Sequence, residues 1–400
     1  MGIPTAHQDG IAAVTTGAPT ESSLVVCSLE EWGTVRRRIR ILVDELVAMD
    51  PSVRVLYVAP PRDVPFELAH GRLHGLTEPS LERVHPRIHV LRPRKWLPRA
   101  LGPTADRMLG NQVAAAVTAL GLVDPLVWVN DASYAAYAVA TGWPTVYDVT
   151  DDWLLAGGTP RQEARLRADD ELLLRHSGAV VVCSPDLART RGSRRPVDLI
   201  PNGVDVALFR TPQPRPAELP AGPVAVYVGT LHDERIDVDL VLDLAAARPD
   251  LQVVLVGPDS LGHESAARLA SAPNVRRLGP QPYERVPGFL QHADVVLVPH
   301  QVNPFTESLD PIKAYECVAA GRPTVATPVA GFRDLGAPVV VRDRDGFVDA
   351  VSEVLATAGT RPGAGTGAPT AQPAPVASWR ERAEAMRAVM ARVRAGGVPW

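Results

Sequence analysis

Unbroken apolar runs alternate with helix-length amphipathic stretches along the whole chain. In the first half, residues 24–28, 53–58, 126–129, 145–147, 179–183 and 197–200 read as strands. Helical periodicity marks 35–49, 104–120 and 162–176 between them. The second half repeats the theme, with strands at 224–228, 252–256, 295–298, 324–326 and 338–341. Strands that lack polar alternation are buried on both faces, as in parallel sheets covered by helices on each side. The segment 211–223, TPQPRPAELPAGP, is Pro-rich and aperiodic and reads as a linker. The expected organisation is a disordered lead at 1–22, a domain at 23–210, the linker, and a second domain at 224–358. A low-complexity segment at 359–377 and a last helical segment at 378–400 follow. The fold class is α/β, with two doubly wound Rossmann-like halves.

Composition narrows the classes. The chain has 400 residues and a formal net charge of −4, which argues against nucleic acid as a bulk partner. Cys27, Cys183 and Cys317 stand far apart without metal-ligand spacing, so buried thiols in a reducing compartment are expected. No apolar run reaches the length of a membrane span, and 1–22 lacks the basic region and apolar core of a signal peptide. These features predict a cytoplasmic protein, with the inner face of the membrane as a second location. Residues 92–99, RPRKWLPR, could touch a membrane surface or an anionic acceptor, or form a solvated loop.

The chemistry concentrates at 299–331. A loop with Pro299, His300, Asn303, Thr306, Glu307 and Ser308 follows the strand at 295–298. A helix should open near Asp310-Pro311, carry Lys313 and Glu316 on one side, and end at Gly321. In open α/β sheets ligands bind beyond the carboxyl ends of the strands, and a helix N-terminus there favours phosphate. Backbone donors, a cation and a carboxylate suit a nucleoside diphosphate, with phosphates on the donors and ribose hydroxyls on Glu316.

Other segments carry chemistry less specifically. In IPNGVD, residues 200–205, Asn202-Gly203 predicts a turn with positive φ at a strand end. Gly33 could let backbone approach a diphosphate near a helix start, with Arg36 or Arg37 facing the cleft. Residues 147–153, YDVTDDW, place Asp148, Asp151 and Asp152 at a strand's carboxyl end. They could hold a divalent metal, bind sugar hydroxyls, orient an acceptor, or cap the next helix. Gly229 and Arg235 follow the strand at 224–228, where a guanidinium could grip phosphate bidentately.

Residues 299–331 resemble the donor-binding region of retaining, family-4-type glycosyltransferases with the GT-B fold. Those proteins carry two glutamates separated by seven residues, the second followed by small residues, Gly and Pro-Val. Glu316, Gly321 and Pro323 match the second half. The first half departs: Ser308 stands where the first glutamate would, with Glu307 beside it, and Leu309-Asp310-Pro311 replaces Gly-Phe-Gly. The DPIKAYE string is similar to that of bacterial polysaccharide and natural-product transferases, including those of teichuronic acid biosynthesis.

The resemblance implies two domains facing a central cleft, and a sugar moved from a nucleoside diphosphate to a hydroxyl-bearing acceptor. That acceptor would be a small molecule, a glycan or a lipid-linked species, and transfer would retain configuration without metal or other cofactor. Donor-side roles fall to Gly33, Gly229, Arg235, Tyr283, Glu307, Ser308, Asp310, Lys313 and Glu316. Asp148, Asp151, Asp152 and Asn202 fall on the sugar or acceptor side. Asp151, Arg235 and Lys313 would act in catalysis, the two cations by stabilising the leaving diphosphate. The last helix would cross back to the first domain. A nucleotide-sugar epimerase or hydrolase on the same fold, or a non-catalytic partner subunit, are the alternatives.

Overall fold

The computed structural model describes residues 22–33, 36–71, 77–97, 103–154, 159–333, 335–358 and 376–396. The expected lead apart from Ser22, the low-complexity segment apart from Val376 and Ala377, Val35, and residues 98–99 of the basic segment lie outside them.

The first sheet holds β1 (Ser22–Cys27), β2 (Val53–Val58), β3 (Leu81–His85), β4 (Ile88–Leu91), β5 (Leu126–Val129), β6 (Thr145–Val149), β7 (Ala179–Val182) and β8 (Asp198–Leu199). Its order is β8-β7-β6-β5-β1-β2-β4-β3, parallel except for the β3–β4 hairpin. The second sheet holds β9 (Val224–Val228), β10 (Gln252–Val256), β11 (Val275–Gly279), β12 (Val295–Val298), β13 (Thr324–Ala326) and β14 (Val339–Val341). It is wholly parallel, in the order β11-β10-β9-β12-β13-β14. Strand order reverses at β1 in the first sheet and at β9 in the second. Each reversal opens a crevice at the carboxyl ends of two neighbouring strands.

The central strands are Val-rich and buried on both faces, as their lack of alternation predicts. Two strands carry too much charge for that pattern. β3 and β11 sit at sheet edges, where Glu82, Arg83, Arg276 and Arg277 can point into solvent, and β4 pairs with β3. Helices α1 (Arg38–Met49), α2 (Pro103–Ala119), α3 (Pro160–His176) and α4 (Pro185–Gly192) cover the first sheet. Helices α5 (Val238–Ala247), α6 (Ile312–Ala320) and α7 (Arg344–Ala358) cover the second.

The final helix, α8 (Trp379–Arg394), starts in a capping box of Ser378 and Glu381. Its apolar stripe of Trp379, Ala383, Met386, Val389, Met390 and Val393 is buried in the core of the first domain, beside α1. The chain therefore passes between the domains twice, and the two passages touch. Val204 donates to the Ala377 carbonyl at 3.1 Å, and Trp379 donates back to Val204 at 3.3 Å. Gly203 is not in the left-handed region expected of it. A side chain there would meet the Ser378–Trp379 backbone at 2.8–2.9 Å, so close approach of the returning chain, rather than turn conformation, requires glycine. The Pro-rich segment 211–223 is no free tether. Leu219 is buried against the second domain, and Gln213 donates to Gln291 at 2.8 Å.

Candidate functional site

At the reversal in the second sheet, the loops after β9 and β12 are zipped together. Asp237 donates to the Pro299 carbonyl at 2.8 Å, Gln301 donates to Arg235 at 2.7 Å, and Ile236 bridges His300. The Tyr227 hydroxyl lies 3.3 Å from His300 Nε2. It also explains Gly229, where an added Cβ would lie 2.6 Å from that hydroxyl. Buried His300 has its pKa pushed down to about 3, by burial first and then by the charges of Arg235 and Lys313. Two cations, Arg235 from the loop after β9 and Lys313 from the first turn of α6, thus act on a histidine that stays neutral. Arg235 is half-buried, and its guanidinium has no hydrogen bond or ion pair among the described residues.

Helix α6 starts after Pro311 with no side chain capping it and no acid in its first turn. Its amide donors and dipole favour an anion. It ends at Gly321 in the left-handed conformation. Lys313 holds Glu316 at 2.5 Å, an i,i+3 pair whose lysine is partly exposed and whose carboxylate is buried. Tyr283 stacks at a tilt on Phe209, 5.8 Å between centroids. Burial raises the Tyr283 pKa, and the Glu316 charge adds to it, which sets the two on one side of the site. Glu307 pairs with Arg333, while its second oxygen is buried without a partner. The Ser308 carbonyl accepts from Ser184 of the first domain at 2.7 Å, so Ser308 acts as a domain contact.

The acidic cluster of the first domain does not gather at one point. Asp148 is fully buried, accepting from Trp128 Nε1 at 3.1 Å and from Arg38 at 3.5 Å. It supports the cleft from beneath and does not line it, contrary to the expectation. Asp152 is also turned away. Its two oxygens take a bidentate pair from Arg191, at 3.2 and 3.3 Å, inside a buried group with Asp170 and Tyr147. Asp151 alone of the three is partly exposed, and among the described residues its side-chain hydrogen bond is with Thr150, at 3.3 Å. Burial raises its pKa, and Arg235 across the cleft, then Thr150, Arg37 and Arg38, oppose that rise. Among the described residues no group of three or more His, Cys, Asp or Glu could hold a metal ion.

Asn202 is saturated by protein. Its amide N–H donates to the Asp310 carboxylate and its Nδ2 to the Asp310 carbonyl, both at 2.5 Å. Its Oδ1 accepts from Arg38 at 3.2 Å, and its carbonyl from Arg382 at 3.0 Å. It therefore joins the domains, with every one of its polar atoms bonded to protein. Asp310 is committed likewise, with Tyr315 donating to its other oxygen at 2.7 Å. Gly33 has open space around it. The nearby N-terminus of α1 already faces an acid, since Glu30 accepts from Ile39 at 3.2 Å, which disfavours a diphosphate there.

Two residues escaped sequence reasoning. His300 was visible in its loop, but nothing local marks it as the meeting point of Arg235 and Lys313. Arg36 pairs with Asp44 at 2.8 Å and Arg37 is exposed, whereas Arg38 is the buried arginine. Helical phase could have found it, since Arg38 shares a face with Ile41 and Leu42.

Residues 222–357 match the family model for glycosyl transferases group 1. Bacillus subtilis (strain 168) TuaH, assigned to teichuronic acid biosynthesis as a glycosyltransferase, is 23% identical over 364 residues, 83% of this chain and 88% of TuaH. A D-inositol 3-phosphate glycosyltransferase of Nocardiopsis dassonvillei is 32% identical over 214 residues, 47% of this chain and 48% of that protein. Among solved structures, Anabaena HepE in complex with UDP and glucose superposes with a TM-score of 0.57 at 17% identity, covering 94% of this chain and 97% of HepE. A trehalose-6-phosphate enzyme structure from E. coli, bound with UDP-2-fluoro glucose, gives 0.60 at 14% identity over 94% and 97%. These likenesses establish the GT-B arrangement of two Rossmann-like domains.

Proposed function

We propose that the chain is a group 1 glycosyltransferase of the GT-B fold, which transfers a sugar from a nucleoside diphosphate with retention and without a metal ion. The observation that carries this reading is the joining of the loops after β9 and β12, which brings Arg235 up to His300, beside the uncapped start of α6 with Lys313 in its first turn. The diphosphate would lie on the α6 amides and Lys313, the ribose on Glu316, and the base beside Tyr283. Nucleotide entry would exchange partners: Lys313 leaves Glu316 for phosphate, and the carboxylate turns to the ribose hydroxyls.

As the bond from the anomeric carbon to the diphosphate breaks, negative charge grows on the leaving oxygen. Arg235 and Lys313 are already in place to receive it, and such preorganisation is often the largest catalytic contribution. The acceptor oxygen bonds to the anomeric carbon from the same face, and its proton passes to the departing phosphate. Asp151 faces this space from the first domain and would orient the sugar or acceptor. Glu307 has one buried oxygen without a hydrogen bond and would offer it to the donor.

Titration calorimetry with a panel of nucleoside diphosphates, UDP first because the HepE structure contains it, tests the donor assignment. Glu316→Gln should weaken the preferred nucleotide about tenfold, roughly 1.4 kcal/mol, for loss of a charge-assisted hydrogen bond. Unaltered affinity would remove the donor site from Glu316. Turnover should persist in chelator, and loss that magnesium or manganese restores would overturn the metal-free mechanism.

A further inference from the structure

The junction between the domains contains a buried arginine that the proposed chemistry leaves unused. Arg38 opens α1 in the first domain and is 3% exposed. One arm of its fork reaches Asn202 at 3.2 Å and the other Asp148 at 3.5 Å. Asn202 in turn grips Asp310, two residues before the first residue of α6, through backbone and side chain at 2.5 Å each. Burial works against the Arg38 charge, and Asp148, with Asp310 further out, outweighs it.

A continuous path therefore runs from the carboxyl end of β6 to the phosphate-facing helix of the other domain. At one end of the path, three residues beyond Asp148, stands Asp151. At the other, three residues beyond Asp310, stands Lys313. A planar guanidinium presents divergent N–H groups to both acceptors in a fixed geometry, whereas an ammonium is a compact charge on a flexible stem.

We propose that Arg38 is a positioning residue for transfer, whose bridge from Asp148 to Asn202 sets the distance between Asp151 on one side of the cleft and Arg235 and Lys313 on the other. It touches neither donor nor acceptor. This rests on the donor-site reading above. Losing the bridge should therefore spare nucleotide binding, which the second domain performs, and damage the step that needs both domains in register.

The test uses the full chain with spin labels at Val123→Cys and Glu264→Cys, exposed positions on the two domains, since the three native cysteines are buried. In Arg38→Lys without ligand, the interdomain distance distribution should broaden or shift. UDP affinity should stay within about twofold while kcat falls about 30- to 100-fold, with KM changing less than kcat. A distribution that superimposes on that of the unsubstituted chain overturns the proposal, and so does a turnover within about threefold of it. If Arg38→Lys does not fold, Tyr315→Phe decides, because it removes only the hydroxyl on the other Asp310 oxygen. It should broaden the distribution and lower kcat about three- to tenfold, and no change in either overturns the proposal. If the unsubstituted chain binds no nucleoside diphosphate, the functional reading fails, while the ligand-free distance measurement still judges the bridge.

Discussion

The two walls of the cleft handle charge in opposite ways. In the first domain, charged groups at the carboxyl ends of the strands are buried and spent on one another. Asp148 is held by Trp128 and Arg38, Asp152 by Arg191, and Glu30 by the amides of α1. In the second domain, charge is left available. Among the described residues the Arg235 guanidinium has no hydrogen bond or ion pair and Lys313 pairs with Glu316 alone, and the α6 amides have no side-chain cap. Both sheets reverse order in their middle and both offer a crevice there. Similar topology has thus produced a scaffold on one side and an anion receiver on the other. Position in the fold makes a crevice, and the unpaired charge facing it makes a site.

The largest expected effect would come from breaking the scaffold side. Asp152→Ala leaves Arg191 buried with only Asp170, and stability should fall by about 3 kcal/mol, read as a lowered urea midpoint. An unchanged midpoint would mean that Asp152 is available for ligand after all. On the receiving side, Lys313→Ala should lower kcat about 10²-fold, close to 2.7 kcal/mol of transition-state stabilisation, with little change in melting temperature. Equal losses of stability and turnover would erase the contrast between the walls. Asp151→Asn tests the one carboxylate that faces across. It should leave nucleoside diphosphate affinity intact in calorimetry and lower kcat by about tenfold, the cost of one weakened polar contact in the transition state. Abolished nucleotide binding would move Asp151 to the donor side.

The smallest effect sharpens the picture by pH. Burial raises the Glu30 pKa to about 7, against opposition from the Ile39 and Arg40 amides and from Arg37 and Arg38. A raised folded-state pKa means that the native protein binds the proton more tightly than the unfolded chain does. The stability Glu30 contributes is then full below about pH 4.5 and is lost as pH rises through about 7. Glu30→Gln cannot titrate, so its melting temperature should gain on that of the unsubstituted chain between pH 5 and 7.5. Parallel curves over that range would show that Glu30 is not the buried acid it is described as here.

Much of the fold is local information. Short valine-rich runs without alternation favour strands buried on both faces, and the punctuation of α6, Pro311 before it and Gly321 after it, lies within a dozen residues. β3 and β11 were illegible because edge strands obey solvent on one side, so Glu82 or Arg276 breaks the apolar pattern without breaking the strand. The residue types of an anion site were legible for the same local reason: Lys313 and Glu316 are one turn apart on one helix. What the chain alone could not state is which carboxylate meets which cation. Asp148, Asp151 and Asp152 look equivalent in YDVTDDW. Arg191, 39 residues later, and Arg38, 110 residues earlier, divide them into two supports and one cleft residue. Gly203 has its reason in Ser378 and Trp379, on a chain segment that has left the second domain and come back. Periodicity and capping determine elements because they act within a turn or a strand. Pairing of buried charge depends on distance in space, and only the assembled tertiary structure brings those partners within reach.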